Sequence, residues 1–351
     1  MKFSVCCTTQ RSSQACRVLS IAALTLLAGL PLIAQRALST YQRITGATDK
    51  SALVYVGKPF HLKMDVVLPG GTGTPDATAT VERWQSGDDS KTIEAFGNGA
   101  RTLLEQNGKS YSLSQGEAIP DLVNAALLQV LHPGPYPADL AGTSPDQRRQ
   151  PFGKISLDCI MLSRPMKRVA FAPLGLFPTY CLNDADQIAA SYNFGSQTMV
   201  QETRGRFLDH EISVGFALLE GSKIVARAKV TTLSVFPPAP NEFDPTPELV
   251  ASAMDVQISG AVMEGSITKK VQPIYPVSAR QARISGTVVL AARIGTDGRV
   301  YSIRPVSAPD PDLTVAAIAA VRQWTYKPYL LQGVPTEVQT TVTVNFNLRP
   351  F

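Results

Sequence analysis

The sequence predicts an α+β protein: an N-terminal signal or anchor, a β-rich middle unit carrying a packed helix, and a small C-terminal β-β-α-β unit. Three observations lead there. Apolar residues alternate with a period of two across 53–117 and again across 197–236, the mark of half-buried strands. One helical stripe interrupts them near 119–131. A proline-rich stretch then precedes a second, separate β-β-α-β pattern. With 351 residues, 44% of them apolar and 17% charged, the chain can bury a core in each unit.

The N-terminal element comes first. Lys2, Arg11 and Arg17 precede an uncharged apolar run, Val18–Ala34, and Arg36 follows it. A secretory signal has an apolar core of about 7–15 residues, and a spanning helix needs about 20. The run stands between the two, so residues 1–37 are read either as a cleaved signal or as a membrane anchor. Both place the remainder outside the cytoplasm, in the orientation the basic flank favours. The cysteines agree with export. Cys6, Cys7 and Cys16 lie before the apolar run, leaving Cys159 and Cys181 as an even pair beyond it. In an oxidising compartment such a pair forms a disulfide; two buried thiols are the alternative.

The middle unit is expected over 41–236. Phe60, Leu62, Met64, Val66 and Leu68 mark a first strand, and shorter runs at 77–84, 91–96, 99–106 and 109–113, separated by turns, give a meander. Ile119, Leu122, Val123, Ala126, Leu127 and Val130 share one helix face, and His132-Pro133-Gly134 ends that helix. Residues 133–151, rich in Pro, Gly and Asp, are expected to be a surface loop. Ile212, Val214, Phe216 and Leu218 lead to a turn at Glu220-Gly221-Ser222, and Ile224–Val235 returns. Residues 237–265 are expected to be a linker, opening with an eleven-residue proline-rich stretch that spans about 34 Å when extended.

The last unit, 266–351, has the sharpest pattern. Val288, Leu290, Ala292 and Ile294 face one way, Gly295-Thr296-Asp297-Gly298 turns the chain, and Arg299–Val306 returns. Asp310-Pro311-Asp312 caps a helix with the stripe Leu313, Ala316, Ala317, Ala320, Val321 and Trp324. In the final strand Val338, Thr340, Val342, Val344, Phe346 and Leu348 form one face, and Glu337, Gln339, Thr341, Thr343, Asn345 and Asn347 the other. The helix covers one sheet face and the other is expected to be wet.

The residues Gln272-Pro273-Ile274-Tyr275-Pro276, Ala279, Arg283-Ile284, Gly286, Asp297-Gly298-Arg299-Val300, Trp324, Tyr326, Pro328 and Phe346 together resemble the C-terminal domain of the TonB family. The resemblance implies a periplasmic module that binds outer-membrane TonB-dependent receptors. A short receptor segment, the TonB box, adds as a strand beside the domain's last strand. Carried over by position, the edge is the strand from Thr336 to Leu348, including Val338, Thr340, Val342, Val344 and Phe346. Gln272, Pro273, Tyr275 and Pro276 then lie near the guest. The resemblance also implies inner-membrane motor proteins as partners, though Val18–Ala34 lacks the histidine of the family's anchor, and a globular unit stands where the family has a long spacer. The middle unit, by pattern and compartment, resembles the half-barrel of lipoprotein carriers of the LolA type, which implies lipid as a ligand. An energy-transducing adaptor and a periplasmic lipid or ligand carrier are therefore the two expected functions.

Other classes find no support in the sequence. Lys and Arg are scattered over the basic C-terminal unit without forming a run, so no nucleic acid is expected. His61, His132 and His210 have no ligand-spaced neighbours, so no metal is expected. Ser266-Ile267-Thr268-Lys269 matches S-x-x-K without its partner motifs. No phosphate loop or dinucleotide turn implies a cofactor, and no catalytic residue is assigned.

Overall fold

The computed structural model describes residues 32–71, 73–166, 172–252, 256–331 and 333–348. The fold is α+β. Of the apolar run Val18–Ala34, all but the last three residues lie outside the described residues. No described helix is long and apolar enough to cross a membrane.

The chain opens with α1 (Leu32–Ser51) and a short 3-10 turn, Leu53–Tyr55. The meander follows as β1 (Phe60–Leu68), β2 (Ala77–Ser86), β3 (Asp89–Phe96), β4 (Gly99–Gln106) and β5 (Lys109–Gln115). Next come α2 (Asp121–Leu131) and α3 (Pro137–Leu140). They lead into β6 (Ser144–Phe152), β7 (Ile155–Ser163), β8 (Thr179–Leu182), β9 (Ile188–Tyr192), β10 (Thr198–Phe207), β11 (His210–Glu220) and β12 (Lys223–Val235). With β13 (Val250–Ser252) these form one antiparallel sheet in the order β13-β5-β4-β3-β2-β1-β12-β11-β10-β9-β8-β7-β6. The sheet is open, with β13 and β6 as its edges.

Helices α1 and α2 cover one face. Ile44, Ala47 and Leu53 join Val123, Ala126, Leu127 and Val130 over Phe60, Leu62, Met64, Val66 and Phe216. The sequence reading missed α1 because three of its inward residues, Thr40, Thr48 and Ser51, are polar and interrupt Ile44 and Ala47. The hydroxyls of Thr40, Thr48 and Ser51 donate to the carbonyls four residues back, at 2.9, 2.8 and 2.6 Å, and so enter the core without an unmet bond.

The expected surface loop 133–151 is overturned. Pro133, Gly134 and Pro135 are buried, because Gly134 lacks a side chain and the backbone presses on Thr48 of α1. His132 binds Gly134 O and the Tyr55 hydroxyl, each at 3.0 Å, and stacks on Tyr136. Residues 144–152 are β6 despite Pro145 and Pro151. As an edge strand it pairs only with β7, so its missing N–H groups cost no ladder bonds on the open side. In β7, Cys159, Ile160, Met161 and Leu162 are all buried, because both sheet faces are covered here. Cys159 stands opposite Cys181 on β8 and the two are joined in a disulfide.

The connector differs from the free linker expected over 237–265. After the proline stretch, β13 adds to β5, and β14 (Val256–Gln257) and α4 (Gly260–Glu264) lie on the C-terminal unit. These elements are too short to leave a periodic signal.

The C-terminal unit continues with β15 (Ile267–Lys269), α5 (Val277–Gln281), β16 (Gly286–Ile294), β17 (Val300–Ser307) and α6 (Pro311–Val321). It closes with β18 (Thr325–Tyr326), the pair β19 (Leu330–Leu331) and β20 (Val334–Pro335), and β21 (Val338–Phe346). Its main sheet runs β14-β21-β16-β17, and a two-stranded one pairs β15 with β18. Asp310 caps α6, accepting from the N–H groups of Asp312 and Leu313 at 2.9 and 3.4 Å, a contribution of about 1 kcal/mol. Leu313, Ala317, Ile318 and Val321 of α6 then pack on Leu290, Ala292, Val342 and Val344. Met161, Leu176 and Phe177 of the middle unit belong to the same core.

Candidate docking edge

The last strand is placed by its own alternation. Val338, Thr340, Val342, Val344 and Phe346 are buried under α6, and Thr341, Thr343 and Asn345 are exposed. It pairs antiparallel with β16 from Gly286↔Phe346 to Ile294↔Val338. In such a ladder the N–H and C=O of each residue point to the same side, and that side alternates along the strand. The carbonyl of Gln339 accepts the N–H of Ile258 at 2.9 Å, on the side away from β16. The backbones of Thr341, Thr343 and Asn345 therefore point to the outer flank as well.

That flank is partly occupied, which corrects the expectation of an open edge from Thr336 to Leu348. Val256 and Gln257 of β14 lie parallel to Val338 and Gln339, with the Gln257 and Gln339 side chains 3.0 Å apart. Gly260, at the start of α4, lies so close to the Thr341 carbonyl that any Cβ would collide with it. Ser259 caps α4 and Met263 anchors it, 2% exposed, in the C-terminal core. Among the described residues no strand continues beside β21 past Gln339, so Thr343 and Asn345 keep an open flank.

The arm 272–276 approaches the far end of the same strand. The Trp324 indole N–H donates to Val271 O at 2.8 Å and fixes the start of the arm. Tyr275 meets Phe346 edge to face, with ring centroids 5.5 Å apart, and its hydroxyl donates to Ile284 O. Pro276 precedes α5 and accepts from Arg280 N–H at 3.0 Å. Gln272 is exposed, Pro273 half-buried and Ile274 85% exposed. The structure thus gathers Tyr275, Pro276 and Phe346 at one end of β21, and Val338 and Thr340 at the occupied end.

The opposite edge of this sheet is closed by the middle unit. Ile303 N–H on β17 donates to Gly195 O at 2.9 Å, and Arg322 Nη1 donates to Phe194 O at 2.9 Å. Close by, a cavity of about 270 Å³ lies between the units, lined by Asp121, Gln197, Glu220, Asp297, Arg299 and Tyr301, among others. Burial, then the charges of Asp297 and Glu337, push the Asp121 carboxyl up to about 7. The sheet face expected to be wet thus looks partly onto the middle unit, where Arg304 stands 3.6 Å from Asp139.

The histidines stay apart. His61 meets Glu82 at 2.8 Å, His132 sits on Tyr55, and His210 meets Asp209 at 2.8 Å. Ser266 Oγ donates to Met263 O at 2.8 Å and so closes the turn after α4. On the helix-covered face of the large sheet the chain's own Ile44, Leu53, Phe60, Leu62 and Phe216 are packed.

Residues 271–348 match the family described as Gram-negative bacterial TonB protein C-terminal. This part of the chain is similar to TonB C-terminal domains. Protein TonB of Vibrio cholerae is 30% identical over 83 residues, 23% of this chain and 34% of that protein. Protein TonB of Klebsiella pneumoniae is 34% identical over 80 residues, 22% of this chain and 31% of that protein. The chain thus spans about a third of the length of the curated TonB proteins it matches. A LolA superfamily protein from Nitrosomonas europaea aligns over 58% of this chain and 97% of its own, at 8% identity and a TM-score of 0.37.

Proposed function

We propose that the TonB domain docks on outer-membrane TonB-dependent receptors by accepting an extended receptor segment on the outer flank of β21, in support of transport. The observation that carries this reading is the pair of outward backbone groups at Thr343 and Asn345, in a strand whose alternate side chains, Val338 to Phe346, are committed to the core. An unpaired flank gains hydrogen bonds when a guest strand fills it, whatever the guest's side chains are. The contact at Tyr275 holds the arm 272–276 beside the same end. Placement in the periplasm belongs to this reading, and the Cys159–Cys181 bridge supports it, since such bridges persist in oxidising compartments.

A photo-crosslinking residue at Thr343 or Asn345 of the full chain, expressed in cells, tests the proposal. Capture of an outer-membrane receptor, identified by its peptides, is expected there and not at Lys109 on the middle unit. Equal capture at the three positions, or no receptor at any, defeats it.

A further inference from the structure

The proposed docking edge is already half-filled by the chain itself, and the filling has the form of a guest. Val256–Ile258 is an extended segment that lies beside β21 and bonds to it through backbone: Ile258 N–H to Gln339 O at 2.9 Å. It stops where α4 begins, and Gly260 then crosses the Thr341 carbonyl at a distance only glycine permits. Resting on the docking function proposed above, we infer that residues 256–264 are a built-in competitor, a strap that a receptor segment longer than the Thr343–Asn345 gap displaces from β21.

Two features fit a strap held closed yet able to open. Its backbone pairing with β21 is two residues long, far below the nine pairs that β21 makes with β16. Its one fully buried side chain is Met263, with Val256 and Ile258 half-buried against the same core and Val262 59% exposed. The strap also continues from β13, which pairs with β5 at the edge of the middle sheet. Opening it therefore loosens the connector between the units, so that docking is felt in the middle unit as a released tether.

The test uses the full chain with Cys6, Cys7 and Cys16 changed to Ser. Gln257→Cys with Gln339→Cys places thiols on directly opposed residues, so oxidation locks the strap and mild reduction frees it. Gly260→Val evicts α4 by collision with Thr341. Binding of a panel of synthetic TonB-box peptides is measured for each form. Affinity at least about ten-fold weaker for the locked form than for the reduced one is expected, the loss when the competent state is about a tenth populated or less. Gly260→Val is expected to bind more tightly than the unaltered chain, and saturating peptide to remove hydrogen-exchange protection from the Ile258 amide. Equal binding by locked, reduced and Gly260→Val forms overturns the strap while leaving docking intact. Absence of binding by every form, Gly260→Val included, overturns docking and the strap with it.

Discussion

Ile303 donates its backbone N–H to the carbonyl of Gly195 at 2.9 Å, so the middle unit itself occupies the outer flank of β17. Pro305, two residues on, has no N–H to offer there. Of the two flanks of the C-terminal sheet, that leaves β21 as the one with room for a guest. It also fastens the C-terminal unit to a body that the sequence reading placed across a free linker. A pull on β21 would then be transmitted to the large sheet as well as to the connector.

Gly195→Val tests this fastening. A Cβ at 195 collides with the Ile303 carbonyl, and such overpacking costs about 1–3 kcal/mol. Calorimetry is expected to show the C-terminal unit melting earlier than in the unaltered chain. An unchanged melting profile would show that the contact contributes nothing to holding the units together.

Asp121 gives the junction a pH dependence. Its carboxyl is raised to about 7 by burial first, then by Asp297 and Glu337, with Arg101 opposing. An unfolded aspartate loses its proton near 3.9. Between about pH 4 and pH 7 the folded chain therefore holds a proton that the unfolded chain has lost. Its contribution is complete below that window and is lost as pH rises through about 7. Asp121→Asn is expected to remove this slope, raising stability at pH 8 by up to a few kcal/mol and changing little below pH 4. Urea titrations at both pH values read the difference; equal slopes for the two proteins would contradict it.

Thr340 carries a hydroxyl buried in the C-terminal core with no hydrogen-bond partner among the described residues. Thr340→Val keeps the shape and removes the orphan. Since an unmet buried polar group costs about 1–3 kcal/mol, a gain of about 1 kcal/mol in chemical denaturation is expected.

The Cys159–Cys181 bridge closes a loop with a sequence separation of 22. On the chain-entropy account its loss costs about 3 kcal/mol. The double change to Ala is expected to lower the unfolding free energy of the middle unit by that amount in urea titration, and to leave the ladder β16–β21 protected in hydrogen exchange.

The residues that spoke from the sequence are those whose environment repeats along an element. Val338 to Phe346 alternate because one sheet face is covered and one is not. Ile119, Val123, Ala126, Leu127 and Val130 recur at helical spacing because one side of α2 meets the sheet. Helix α1 stayed silent since Thr40, Thr48 and Ser51 satisfy their hydroxyls within the helix, a solution that pattern reading scores as surface. Strand β6 was hidden by two prolines that only an edge position tolerates. For the candidate site, the strand and the Tyr275 arm were legible, whereas its occupant was not: Val256, Gln257 and Gly260 are ordinary residues in elements of two and five residues.

By itself the sequence determined the strand alternation that turns every second side chain of β21 inward, the helical stripe of α2, and the family likeness carried by the residues from Gln272 to Phe346. These follow from short-range spacing, which sets local geometry and which face is buried. Tertiary structure alone decided which backbone groups remain unpaired, because an edge is open or closed according to what else the chain lays beside it. Ile258 on one flank and Gly195 on the other reach the sheet from about 80 and about 108 residues away in sequence, and no local pattern records where such distant segments come to rest.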